Sequence, residues 1–267
     1  MNLRRATVSW GQTPSDGLPR IDAPREPVRY ETDNYDPNRS CVVNKAAKTS
    51  AALCKTAMRP FKHVTPKYIR DRIKVFLYER RFPDHPWLTA AANSVLESWL
   101  KRSDVGLEFG AGRSTLWFGK RVHALVSIEH DREWCDHVLR NLQKSGMKNV
   151  DCRLVRMDRE EEEGLESNYV RELSSFKPGT FDFVLVDGVY RDACAISCLK
   201  YIKQGGILIL DNANWYLPSY SFAPNSRSHQ DGPASPLWGQ FLECVNQWRC
   251  IWTTSGVTDT AIWVKTS

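Results

Sequence analysis

The chain reads as an α/β protein built on a mostly parallel sheet, and three patterns predict it. The apolar runs Val105 to Phe109, Ala124 to Ile128, Phe181 to Val186 and Ile207 to Leu210 are continuous rather than alternating, as strands buried on both faces must be. Stretches with helical spacing separate them. Each run carries an acid at or beside its carboxyl end, Glu108, Glu129, Asp187 and Asp211, and in an open parallel sheet that edge is where ligands bind.

Composition limits the classes. A length of 267 residues with 42% hydrophobic residues suffices for one large domain, or a domain with an extension. No apolar run approaches the ~18 residues of a membrane span, and Met1 to Gln12 lacks a signal-peptide core, so a soluble, cytoplasmic protein is expected. The eight cysteines form no CxxC pair and read as reduced core thiols. Cys194 and Cys198 lie four apart on one helix face, where packing accounts for them better than zinc.

Three segments follow from the pattern. Residues 1–44, with Pro14, Pro19, Pro24, Pro27 and Pro37 and almost no periodicity, read as a disordered leader. Residues 45–86 form a basic helical segment, and residues 87–267 the main domain. Lys45 to Arg81 holds eleven Lys/Arg against Asp71 and Glu79, whereas the leader balances at six against six and Phe82 to Ser267 has 20 against 23. The net charge of +6 therefore comes from this one segment. Pro66 suits a first helical turn, and Tyr68, Ile69, Ile73, Phe76 and Leu77 share a face that is expected to pack on the domain, leaving a solvated basic face outside. A contact with nucleic acid, an acidic lipid surface or a charged substrate is the alternative, less favoured because the aromatics are not interleaved with the bases as stacking requires.

The main domain opens with Asp84-His85-Pro86-Trp87 and a helix over Leu88 to Leu100; His85 and Trp87 either staple that helix or line a site. Val105 to Asp131 then makes one strand, glycine turn, helix and strand. A ligand lying against the carboxyl end of a parallel strand needs glycines, here Gly110 and Gly112, because a Cβ there collides with it or forbids the turn. Ser114 or Thr115 can cap the helix marked by Leu116, Trp117, Phe118 and Val122. Glu129, 17 residues after Gly112 and followed by His130, is placed to accept ribose hydroxyls, so the unit reads as a nucleoside-cofactor site.

The remaining elements continue the alternation. A helix over Asp131 to Met147 puts Trp134, Val138 and Leu142 on one face, a strand spans Val150 to Met157 with Asp158 at its end, and Glu160 to Glu163 starts a solvated helix. Beyond Asp187-Gly188, a helix over Arg191 to Ile202 precedes Gly205-Gly206 and the strand ending in Asp211-Asn212. Trp215, Tyr216, Tyr220, Phe222 and His229 lie on a long loop expected to cover a substrate. A helix over Leu237 to Trp248 and the strands Cys250 to Thr254 and Thr260 to Val264 complete the order.

Glu108-Phe109-Gly110-Ala111-Gly112 resembles motif I of the class I S-adenosylmethionine methyltransferases, an acid-x-Gly-x-Gly pattern. A dinucleotide fingerprint prefers Gly where Thr115 stands, which disfavours NAD. The resemblance covers Trp87 to Lys265 and implies a Rossmann-like sheet of seven strands, mostly parallel with an antiparallel last strand, preceded here by an N-terminal extension. It implies that Glu108, Gly110, Gly112, Ser114, Glu129, His130, Asp158 and Asp187 hold S-adenosylmethionine, with Glu108 facing its cationic groups and Asp158 its adenine. Asp187, Asp211 and Asn212 resemble the metal ligands of the catechol-type O-methyltransferases, which implies Mg²⁺. The lysine base of those enzymes is replaced by Tyr190, so the deprotonating aid is expected to be the metal or a side chain such as Asp187, Tyr190 or His229. The expected reaction is methyl transfer to an oxygen of a small-molecule acceptor. Two alternatives stay open: an RNA- or protein-modifying enzyme that uses the basic segment, and a cofactor-binding scaffold without catalysis.

Overall fold

The computed structural model describes residues 65–266. The leader over residues 1–44 and residues 45–64 of the basic segment lie outside the described residues.

Two helices come first, α1 (Pro66–Arg81) and α2 (Ala90–Trp99). Thr65 and Thr89 cap them, each hydroxyl accepting a backbone N–H of the first turn, from Tyr68 and Ala92. The alternation follows as β1 (Val105–Phe109), α3 (Arg113–Gly119), β2 (Ala124–Glu129), α4 (Arg132–Lys144), β3 (Val150–Leu154), α5 (Asn168–Arg171), β4 (Phe181–Val186), α6 (Arg191–Cys198) and β5 (Ile202–Asp211). After them come α7 (Ala213–Tyr216), α8 (Pro236–Cys244), β6 (Arg249–Thr254) and β7 (Asp259–Val264).

The seven strands form one sheet in the order β3-β2-β1-β4-β5-β7-β6. Pairing is parallel from β3 to β5, and β7 runs antiparallel between β5 and β6. This is a Rossmann-like sheet with an antiparallel last strand, as the resemblance implied. The order turns about β1 and β4, and that switch point leaves a crevice at the strands' carboxyl ends.

Period two along the strands builds two cores. Leu107, Phe109, Val126, Ile128, Val184 and Val186 face Tyr169, Tyr190 and the helices α6 and α8. Leu125, Phe183, Leu185, Ile207 and Ile209 face Leu96 of α2 and Trp117 and Phe118 of α3. Gly106 of β1 is the space into which the Phe183 ring fits, and a Cβ there overlaps the ring.

Several boundaries differ from the sequence pattern for identifiable reasons. The helix after the glycine turn stops at Gly119, before Val122, because the Asn149 amide donates to the carbonyls of Gly119 and Val122 and holds that turn against β3. On α4 the core face is Cys135, Val138 and Leu142, and Trp134 points elsewhere. Most unlike expectation, α1 faces the domain through Asp71 and the half-buried Tyr68, Val75 and Tyr78, leaving Ile69, Ile73, Phe76 and Leu77 in solvent. The polar side wins because Asp71 fits against Gly256 and the Tyr78 hydroxyl bonds His85 Nδ1 at 2.8 Å. Cys194 and Cys198 are buried in the larger core, as packing required. No helix among the described residues is long and apolar enough to cross a membrane.

Candidate active site

A cleft of about 480 Å³ opens at the carboxyl ends of β1, β2 and β4. Pro86, Trp87 and Leu88 wall it on one side, Gly110 to Ser114 form its floor, and Glu129, His130, Asp131 and Trp134 face Leu185 and Asp187 to Val189 across it. The size suits a drug-sized ligand.

The glycine turn has two different reasons for its glycines. Gly110 has φ +94, and a Cβ on it sits 2.8 Å from the Asp187 carbonyl carbon and from the Gly188 nitrogen, so the two loops touch only because it has none. Gly112 is different. A Cβ there meets nothing nearer than the Trp134 indole at 3.8 Å and would project into the cleft, which keeps that floor open to a ligand.

Glu129 orients the turn and faces the cleft. Its Oε2 accepts from Ala111 N at 2.9 Å, and its Oε1 from the amides of His130 and Asp131 at 2.8 Å each. Three of about four acceptor sites on the carboxylate are thus taken by backbone, leaving one for a ribose hydroxyl. His130 also lines the cleft, with Nδ1 2.8 Å from Glu129 Oε1 but without hydrogen-bond alignment.

Glu108, expected to face the cofactor, acts in this structure as an internal strut. It is fully buried and absent from the cleft wall; its Oε1 accepts from Ser127 Oγ at 2.6 Å and from the Thr115 hydroxyl, which itself accepts from Gly112 N. Thr115 therefore does the capping expected of Ser114 or Thr115, while Ser114 lines the cleft. Burial lifts the Glu108 carboxyl to about 7 against the pull of the Ser127, Thr115 and Ser114 hydroxyls, and its Oε2 has no partner. A motif acid on a strand buried on both faces can point inward as readily as outward, and period two turned this one in.

Asp158, expected at the adenine, is placed elsewhere. The strand ends at Leu154 rather than Met157, and Asp158 lies exposed outside the cleft, accepting from Asn168 N at 3.0 Å.

The proposed metal ligands Asp187, Asp211 and Asn212 do come together, but a guanidinium holds them. Arg191 Nη2 donates to Asp187 Oδ1 at 2.8 Å and to its carbonyl at 2.9 Å. Nη1 donates to Asn212 Oδ1 at 3.1 Å and the Asp211 carbonyl at 3.0 Å, and Nε to the Gly188 carbonyl at 2.9 Å. All five donors are used. Mg²⁺ does not fit beside this built-in cation: Asp211 Oδ1 is bonded to Thr260, the Asn212 amide oxygen to arginine, and neither residue lines the cleft. No group of three His, Cys, Asp or Glu side chains among the described residues is arranged for a metal ion. Burial and then the Asp187 charge raise Asp211 to about 7, with Arg191 pulling the other way.

The remaining catalytic candidates separate. Asp187 lines the cleft, and burial raises its pKa while Arg191 lowers it. Tyr190 is buried beneath the loop, its hydroxyl donating to the Arg159 carbonyl at 2.5 Å, and burial raises its pKa further from use as a base. His229 is exposed and packs on Tyr220, with ring centroids 4.5 Å apart. Tyr220 and Phe222 are 87% and 91% exposed, and no residue of the 213–235 loop lines the cleft, so the loop is not the cover that was expected.

Three cleft residues were not foreseen as such. Trp134 Nε1 donates to the Ala111 carbonyl at 2.6 Å and holds the turn from the ligand side; its place at i+3 on an otherwise polar helix start, two positions before Asp136, was the available signal. The Arg113 guanidinium lies 4.8 Å from the centre of the Trp87 ring, joining the two walls. Asp131 caps α4 through Trp134 N at 2.7 Å.

No protein-family model matches the chain, and no curated protein matches it. Among solved structures it is similar to a methyltransferase-like protein from Silicibacter pomeroyi, at 18% identity over 68% of this chain and 89% of that one, TM-score 0.48. It is also similar to a caffeoyl-CoA O-methyltransferase-like protein from Staphylococcus aureus (13%, 77% and 95%, 0.48) and an rRNA methylase from Streptococcus thermophilus (8%, 66% and 95%, 0.44). Likenesses at these identities and scores carry nothing about activity or substrate. Strand order and cleft position by themselves define an α/β domain with its ligand site at the β1/β4 switch point.

Proposed function

We propose that the chain is an S-adenosylmethionine-dependent methyltransferase acting on an oxygen of a small molecule without a metal ion. The observation that carries this reading is the cleft floor at Gly110 to Gly112, open above Gly112 and backed by Glu129 with one acceptor site still free. That arrangement suits a nucleoside without phosphates, because the turn is held shut by Thr115, Glu129 and Trp134 rather than aimed as a row of free amides.

S-adenosylmethionine when bound supplies an activated methyl group on a sulfonium. The chain's own part is placement and proton handling. Glu129 and the glycine turn hold the nucleoside, Trp87 and Trp134 exclude water from either side, and Asp187 is the cleft acid left to take the acceptor's proton. Its raised pKa moves it toward a useful base, and Arg191 keeps its Oδ1 fixed. A macromolecular acceptor is the second reading, supported by the basic face of α1.

Calorimetric titration with S-adenosylhomocysteine tests the central claim. Binding in EDTA that Mg²⁺ leaves unchanged is expected. Absence of heat under both conditions would remove the methyltransferase reading, while binding with no turnover on phenolic or sugar hydroxyls would favour the scaffold alternative. A shift of labelled RNA that weakens steeply with salt would favour the macromolecular acceptor.

A further inference from the structure

The outward side of α1 has a composition that the cleft does not explain. Ile69, Ile73, Phe76 and Leu77 are 48%, 53%, 53% and 58% exposed, at the i, i+4, i+7, i+8 spacing of one continuous stripe. Wheel geometry puts Arg70, Arg81 and Lys74 along one flank, Arg72 along the other, and Arg80 over the stripe, its guanidinium 5.2 Å from the Phe76 ring centre; Lys67 turns toward the domain and bonds Asp71 at 2.9 Å, and Arg70 and Lys74 pair with the same carboxylate at 3.4 and 3.9 Å. Asp71 is buried toward the domain, and Glu79 shares that half-buried side. The solvent side of α1 is therefore apolar and net basic: Asp71 offsets part of the Lys67, Arg70 and Lys74 charge and Glu79 lies beside Arg72, while Arg80 and Arg81 have no acid partner among the ion pairs of the described residues.

Charge selects among occupants. A second copy would set five bases against five, and residues 45–64 add five more bases and no acid, so neither complements the face. RNA would satisfy the bases but gains nothing from Ile69, Ile73 and Leu77, which cannot stack on bases. An anionic bilayer surface takes both parts: the headgroups meet the flanking Lys and Arg, and the acyl boundary takes the stripe.

We propose that α1 is an interfacial helix that docks the protein on an anionic phospholipid surface, lying in the plane of the headgroups with Ile69, Ile73, Phe76 and Leu77 inserted. The dock sits at the same edge as the cleft. Asp71 abuts Gly256 in the β6–β7 turn, beside Thr258, whose hydroxyl accepts from Asn212 at the carboxyl end of β5, and the chain after α1 runs to Trp87 on the cleft wall. The proposal stands on α1 alone and is independent of the methyltransferase reading.

Sedimentation of the full chain with phosphatidylcholine vesicles, with and without phosphatidylserine, is the test. Binding is expected only with phosphatidylserine, falling with salt, and at least about tenfold weaker in Ile73→Asp/Phe76→Asp, whose exposed positions leave the melting temperature unchanged. Replacing Arg80 or Arg81 with Gln should weaken it about fivefold each. No binding to phosphatidylserine vesicles at low salt would overturn the proposal. So would binding that the double variant retains in full, which would reduce the face to a general anion contact, or light scattering that shows a dimer abolished by the variant without vesicle binding.

Discussion

The carboxyl edge of the sheet carries two acid-bearing regions that the sequence makes look alike, and the structure treats them oppositely. At β1 and β2 the acid Glu129 is held by three backbone amides, one from the glycine turn and two from the residues that follow it, and a cleft remains above. At β4 and β5 the Asp187 carboxylate, the Asp211 carbonyl and the Asn212 amide oxygen are held by the arginine of α6, while the Asp211 carboxylate accepts from Thr260. Backbone amides neutralise an acid without filling its surroundings. A guanidinium fills them.

The largest effect should come from removing that filler. Arg191→Ala leaves the half-buried Asp187 partly unpaired and three carbonyls without donors, and should destabilise the protein by about 3 kcal/mol in denaturant unfolding. If the contrast is right, wild type gains no thermal stability from Mg²⁺ and loses none in EDTA; a melting temperature that rose with Mg²⁺ would break it.

A second test uses pH. Burial lifts Glu108 and Asp211 to about 7 in the fold from their ordinary 4.5 and 3.8, so the native state holds more protons than the unfolded chain between about pH 4 and pH 7. Stability should therefore fall as pH rises through that window, on the order of a few kcal/mol, and be flat above it. Glu108→Gln and Asp211→Asn should each remove part of the slope in melts at pH 5 and pH 7.5.

Smaller effects sharpen the open half. Glu129→Ala should weaken S-adenosylhomocysteine binding about tenfold to a hundredfold by calorimetry, through loss of the acceptor and slackening of the turn. Tyr190→Phe should cost about 1 kcal/mol through the lost bond to Arg159 and leave kcat unchanged, and His229→Ala should change neither.

The same contrast shows what a sequence discloses. The strands were legible because double burial demands unbroken apolar runs, and Gly110 because no other residue fits its φ and its contact with the β4 loop. The role of Arg191 was not legible. It depends on left-handed Tyr190 and Asn212, φ +50 and +52, which turn the two loops toward one another, and on β4 and β5, whose partners such as Val186 and Leu210 are 24 residues apart, lying side by side. Trp134 and α1 were misjudged for a related reason. Helical spacing identifies an apolar face but not what it meets, and the docked side of α1 was decided by Gly256, 185 positions beyond Asp71.

The insertion of β7 between β5 and β6 governs how the chain must be assembled. Thr89, at the start of α2, donates its amide to Thr260 of β7 at 3.1 Å and shares a 2.5 Å hydroxyl bond with Thr253 of β6. Until residue 264 has left the ribosome, the apolar edge Ile207 to Leu210 of β5 has no neighbour on that side and α2 has no anchor. During synthesis that bare edge is a template for pairing with another nascent chain, so stalling or truncation between β5 and β7 should yield aggregates rather than a smaller soluble fold.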